Sequence, residues 1–320
     1  MVLAVRESGV LKSGVIFAVL VEDLPHGTAV GFDLYVRTRD GHSPYLLSGQ
    51  AVTESIRHAL EQSGISKLYV PERIAGPFAR SYFEAARLVL ESPDSSPEER
   101  ARALRSSAGA VAQHLVHNPG INSFQMARDL TELTVAEAVK SPESLTALVR
   151  MTYVERELHS HLVNSSIYAI ALSASLRISP PERIATIGLA CLLYDLGLTQ
   201  VRSSSAFAGD PDQDPMVRQH VFIGRDMIHG VSGLSREVRE AALSHHERWD
   251  GTGYPAGLKG ERIPLTARIA AVVDAFDLLT TSLPGVKPLT SFEALSVMSR
   301  EMPGQFDQAI LRALVAGLRA

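Results

Sequence analysis

Two adjacent histidines, His245 and His246, followed by Glu247, open a stretch that runs to Asp274 and concentrates potential metal-ligand chemistry. Imidazole nitrogens together with carboxylate oxygens are donors to a metal ion. Asp250 to Gly260 forms a tight glycine-rich loop, and an apolar helical pattern then closes on Asp274. His159, His161, His220 and His229 share this half of the chain. Asp195 sits in CLLYDLG, an apolar run that ends at a glycine, and Asp274 interrupts ARIAAVVDAFDLL. A carboxylate in such a run needs a charged partner or a metal. Imidazoles and carboxylates spread over several helices of one bundle are how bundle-core metal sites are built. Glu157 and His161 are four apart, so they are expected on one helix face. A single buried His or Asp is more often a satisfied core residue or a cap. His159, His229, His26, His42, His58, His114 and His117 keep that plainer reading, and Tyr194 taken alone reads as a core tyrosine.

The elements that must position these residues are legible in outline. Residues 1–91 read as a small α+β unit. Its expected strands are Gly14–Val21, Phe32–Thr38 and Lys67–Val70, and its expected helices are Ala51–Gln62 and Ala75–Leu90. The breaker cluster SPDSS follows. Ser96-Pro97-Glu98-Glu99 then places a hydroxyl at the cap, proline at the first helical position and acids in the first turn. Residues 92–144 read as connecting helices and 145–320 as an all-helical domain. One long helix is expected from Ser141 to about Arg177, others near 181–196, 214–228, 235–246, 264–281, 291–301 and 307–318, and an irregular loop over Ser203–Pro215.

Length and composition set bounds. At 320 residues the chain suits two domains. The net charge of −4 gives no footprint for general nucleic-acid binding, so no DNA partner is expected. The single cysteine, Cys191, rules out an intramolecular disulfide and fits a reducing cytoplasm. No apolar segment approaches the roughly 18–20 residues that span a bilayer.

The phrase HHERWDGTGYP, followed by Arg268-Ile269 and Asp274, resembles the HD-GYP family, a branch of the HD phosphohydrolase superfamily. The resemblance covers roughly residues 145–320, and His220 to Gly224 is similar to the family's HPxxG element. It implies a helical bundle holding two or three iron or manganese ions. Their candidate ligands are Glu157, His161, Asp195, His220, His245, His246 and Asp274, with Asp195 bridging. It also implies hydrolysis of cyclic di-GMP, or a related nucleotide, to pGpG or GMP, with Asp195 and Arg268 as catalytic candidates. Through Asp250, Gly251, Gly253, Tyr254 and Pro255 the loop is expected to face substrate and to meet partner proteins, diguanylate cyclases among them. A homodimer is left open.

The namesake pair departs from the pattern. Tyr194-Asp195 stands where the family has His-Asp, and Leu198 stands where it has a phosphate-contacting lysine. Losing one preorganised charge-stabilising donor costs roughly 100- to 1000-fold in rate. The expectation is therefore a degenerate member that binds metal or nucleotide with weak or no hydrolysis, and the alternative is an active phosphodiesterase. Arg268, or Arg202 from the loop, is the candidate replacement for the lost charge.

Overall fold

The computed structural model describes residues 16–24, 31–154, 157–201, 214–282 and 286–318. These fall into two compact units, Met1–Asn118 and Pro119–Ala320. Residues 92–144, read above as connecting helices, are thus shared between the two.

The first unit is a four-stranded antiparallel sheet with helices. Strands β1 (Ile16–Leu20), β2 (Leu34–Thr38), β3 (Gly41–Leu46) and β4 (Lys67–Pro71) lie in the order β1-β4-β2-β3. In β1, Phe17 and Val19 are buried and alternate with half-exposed neighbours, the period of a sheet with one covered face. Helices α1 (Glu54–Gln62), α2 (Ala75–Glu91) and α3 (Pro97–His117) complete the unit. Phe78 of α2 meets the Phe17 ring edge-on at 5.4 Å, and Gln113 Nε2 of α3 donates to the Ala18 carbonyl. Burying a phenylalanine of this kind contributes about 1.5–3 kcal/mol. Strand β3 was not expected from sequence. Pro44 and the half-buried run GHSPYL carry no alternation, and it is pairing with β2 that makes this segment a strand. Residues 14 and 15 of the first expected strand, and His26, lie outside the described residues.

The second unit is helical. It contains α4 (Ile121–Lys140), α5 (Pro142–Arg150), α6 (Leu158–Ser175), α7 (Pro181–Leu193), α8 (His220–His229), α9 (Arg236–Ser244), α10 (Leu265–Thr280), α11 (Ser291–Arg300) and α12 (Gln308–Gly317). α6 is buried nearly all round, as a helix at the centre of a bundle is. Gly188 of α7 lets that helix close on α6, since a Cβ there would stand 2.7 Å from Ile170 Cγ1. The long helix expected from Ser141 is in fact two, α5 and α6. The chain between them is held out of helix by Asn164, whose side chain accepts from the Tyr153 amide and donates to the Tyr153 carbonyl. The helix expected from Asp214 begins as a 3-10 turn (Val217–Gln219) and becomes regular only at His220. No helix among the described residues is long and apolar enough to cross a membrane.

Candidate metal centre

The chemistry-bearing residues of the second unit meet where several helices end. His161 lies in the first turn of α6. Tyr194 caps the C-terminus of α7, and Asp195 follows it. His220 starts α8, His245 caps α9 with His246 beyond it, and Asp274 lies within α10. Backbone carbonyls at two of these helix ends orient the rings of His220 and His245.

Two groups of donors result. Asp195, His220, His245 and His246 bring one ligand atom each to within 4.8 Å of one another, and so do His161, Asp195 and Asp274. Asp195 belongs to both, with one oxygen toward each. Its Oδ1 lies 3.1 Å from His220 Nε2 and 3.2 Å from His245 Nε2, and its Oδ2 lies 3.3 Å from His161 Nε2.

The imidazoles are held from behind. His220 Nδ1 lies 2.6 Å from the Val217 carbonyl, and His245 Nδ1 is 3.1 and 3.2 Å from the carbonyls of Ala241 and Ala242. His161 Nδ1 lies 2.7 Å from Asp277 Oδ2. Each Nδ1–H therefore donates to a fixed oxygen, and Nε2 faces the centre. This outer-shell orientation is typical of histidine metal ligands. His220 Nε2 and His245 Nε2 then stand 3.2 Å apart, two lone pairs that need a cation or a proton between them. Asp195 Oδ1 is buried beside them without a directed hydrogen bond. Three imidazoles and one carboxylate converging on such a spot fit a transition metal.

Burial lowers the His161 and His220 imidazoles, but the carboxylates beside them, Asp195 first, outweigh it and raise both, so protons hold the place a cation would take. Burial, then the neighbouring His245 and His220, push the His246 imidazole well below its ordinary value. It is neutral, the ligating form. Burial alone would raise the Asp195 carboxyl, but His161, His220 and His245 more than offset it and hold the group ionised. Burial, then Asp274 and Asp195, push the Tyr194 phenol well above its ordinary value, so it keeps its proton.

Tyr194 is wholly buried and enters the second group of donors. Its Oη lies 2.6 Å from His161 Nε2, 3.1 Å from Asp274 Oδ1 and 3.0 Å from Ser165 Oγ.

The loop is fastened to the same spot. The Tyr254 ring stacks on His246 at 4.7 Å, and the Arg218 guanidinium lies 4.8 Å from that ring on its own account. Glu247, almost fully buried, accepts from the amides of Ala256 (2.7 Å) and Leu258 (2.8 Å). A Cβ on Gly253 would stand 2.3 Å from the Arg248 nitrogen and 2.4 Å from the His246 oxygen, so only glycine fits. Gly197 is equally constrained, since its Cβ would lie 2.1 Å from the His220 carbonyl oxygen. That contact seats Asp195 against His220.

Two expected residues are placed elsewhere. Glu157 is not on the α6 face of His161. It is the extended N-cap residue (φ −121°, ψ 153°), and its carboxylate faces His159 Nδ1 at 3.4 Å. Arg268, the candidate replacement for the lysine charge at a phosphate, is paired within the fold. Its Nη1 donates to Asp307 Oδ2 at 2.8 Å, and its guanidinium lies over Trp249. Leu198 is half-buried, and Arg202 lies outside the described residues.

Three contributors were missed. Asp277 and Asn164 orient His161, and Arg248 lines the cleft. Glu247, noted beside the histidine pair, acts on the loop. Asp274 and Asp277, three apart in an apolar helix, were the available signal for Asp277. A cleft of 230 Å³ opens beside the centre, where His246, Arg248 and Asp274 face the apolar Leu278, Met302 and Phe306.

The profile of the HD domain family matches residues 126–310. The chain is 35% identical over 192 residues to the cyclic di-GMP phosphodiesterase PA4108 of Pseudomonas aeruginosa, covering 59% of this chain and 46% of that one. It is 34% identical over 180 residues to the cyclic di-GMP phosphodiesterase response regulator RpfG of Xanthomonas campestris, covering 55% and 47%. The chain thus spans about half the length of these relatives. Among solved structures, Bd1817, an HDG"Y"P protein of Bdellovibrio bacteriovorus, superposes with a TM-score of 0.76 at 20% identity, covering 95% of this chain and all of that one. That likeness speaks for the fold.

Proposed function

The chain belongs to the HD domain family, in its HD-GYP branch, and on that premise we propose that it is a cyclic di-GMP-binding member whose hydrolytic activity is weak or lost. The observation that carries this reading is the position of Tyr194 Oη, 2.6 Å from His161 Nε2, within one of the two donor groups that share Asp195. Iron or manganese, when bound, would supply positive charge to phosphoryl oxygens and acidify water. Asp195, His220, His245 and His246 would hold it. Arg248 would meet a phosphate at the cleft mouth, and Leu278, Met302 and Phe306 offer apolar surface to a base. Leu198 brings no charge to a phosphate. Tyr254 steadies His246 from the loop side, and the exposed loop tip at Thr252 and Ala256 is the surface for a protein partner such as a diguanylate cyclase.

Two measurements test the reading. Calorimetry with cyclic di-GMP is expected to show binding. Chromatography of iron- or manganese-loaded protein is expected to show far less pGpG and GMP than from the double variant Tyr194→His, Leu198→Lys. Wild type as active as that variant would sink the proposal. An active phosphodiesterase is the second reading, favoured by the intact group of Asp195, His220, His245 and His246.

A further inference from the structure

We propose that this chain holds one metal ion, not two, because the Tyr194 hydroxyl closes the position between His161 and Asp274. The inference rests on the metal-centre reading above and concerns only the ion count and the part Tyr194 plays in it. Two donors that each sit about 2.1 Å from one ion lie about 3 Å or more apart when they meet at right angles or wider. His220 Nε2, His245 Nε2 and Asp195 Oδ1 have that spacing, at 3.1 to 3.2 Å. At the second position His161 Nε2 keeps it too, 3.2 Å from Asp274 Oδ1 and 3.3 Å from Asp195 Oδ2, but His161 Nε2 and Tyr194 Oη do not. Their 2.6 Å separation is the length of a hydrogen bond.

Whichever of the two atoms carries the shared proton, this bond lies along the direction in which His161 Nε2 would bind an ion. The second contact, 3.1 Å to Asp274 Oδ1, engages the carboxylate of the same group. At the other position an arriving ion has only a proton to displace. Here it would have to displace a hydroxyl that is part of a buried ring. That ring is packed edge-on against His245 at 4.6 Å and against His161 at 5.8 Å, and Ser165 Oγ holds its oxygen at 3.0 Å. Tyr194 is therefore a stopper, which leaves Asp195 with one ion to ligate and one hydrogen-bonded imidazole to face.

The test counts ions. Full-length wild type, Tyr194→Phe, Tyr194→His and His220→Ala are loaded anaerobically with ferrous or manganous ion, freed of excess and analysed by mass spectrometry for metal per chain. The expected result is about one ion in wild type and Tyr194→Phe, a rise toward two in Tyr194→His, and a loss in His220→Ala. Two ions in wild type, or none, would overturn the proposal. So would loss of the ion in Tyr194→Phe, or a visible phenolate-to-iron absorption in oxidised wild type that this variant lacks, because Tyr194 would then be a ligand. If Tyr194→His does not fold, the counts in wild type and Tyr194→Phe decide. Protein that holds no ion yet binds cyclic di-GMP sinks this inference and spares the functional reading, and one ion without nucleotide binding does the reverse.

Discussion

Asp277 Oδ2 lies 2.7 Å from His161 Nδ1, and this contact decides which imidazole nitrogen faces the centre. The other Asp277 oxygen accepts from Asn164 Nδ2, also at 2.7 Å. Burial pushes the Asp277 carboxyl up, and the bonds to His161 and Asn164 counter it in part. In Asp277→Asn the new amide can turn its NH2 toward Nδ1 and reverse the tautomer. The expected outcome is a changed 15N signature of one imidazole, with a loss of about 1–3 kcal/mol in chemical denaturation. An unaltered imidazole spectrum would mean that Asp277 does not set the tautomer.

Gly253 and Gly257 sit in one loop for different reasons. At Gly253 a Cβ meets the backbone at 2.3 Å, so Gly253→Ala is expected to displace the loop, to cost about 1–3 kcal/mol by overpacking and to weaken nucleotide binding. At Gly257 a Cβ would make only ordinary contact, 3.5 Å from the Gly251 carbonyl oxygen, and the demand is a left-handed backbone (φ 63°), so Gly257→Ala is expected to cost about 1–2 kcal/mol and to leave binding near wild type. Thermal melts paired with calorimetry separate the two. Equal binding losses would contradict the distinction.

Glu247, which follows the histidine pair, accepts from two loop amides. Glu247→Gln retains one acceptor oxygen and turns a donor toward the other amide. Hydrogen exchange at Ala256 and Leu258 is expected to quicken, while exchange in α9 stays slow. Unchanged protection at both amides would mean that the loop is held by other contacts.

The start of α11 carries a pH-dependent cap. Glu293 Oε2 accepts from the Thr290 amide and hydroxyl, both at 2.8 Å. The backbone bond to Thr290, then the hydroxyl bond, hold the carboxyl below its ordinary value of 4.5. A folded value below the unfolded one means that the contribution is present above pH 4.5 and is lost as pH falls through the folded value. Glu293→Gln is therefore expected to melt below wild type at neutral pH and to converge with it in acid. A gap that widens in acid would reverse the sign of this assignment.

Several helices were legible because their ends carry local chemistry. Ser96 caps α3, Thr290 caps α11 and Asp307 caps α12, each through a bond to an amide two or three residues on. The break between α5 and α6 was missed because Asn164, which bonds the Tyr153 backbone, lies on a helix that must first be packed in place. Strand β3 was missed for a similar reason, since it depends on a partner strand. Among site residues, His220, His245, His246, Asp195 and Asp274 stood out as polar groups set in apolar or motif-bearing stretches. Glu157 was misplaced because four-residue spacing means a shared face only inside a helix, and Glu157 stands just outside one.

Residue identity by itself determined the family, the donor types and the two altered positions, Tyr194 and Leu198, because these are properties of side chains in a local phrase. Only the tertiary structure decided where donors as far apart along the chain as His161 and Asp274 would meet, which nitrogen of each imidazole would face inward, and what the tyrosine does. A phenol in the place of an imidazole reads as a loss in sequence. In the fold its oxygen lies 2.6 Å from His161, because α6 and α7 pack closely enough at Gly188 for the hydroxyl to cross the gap between them.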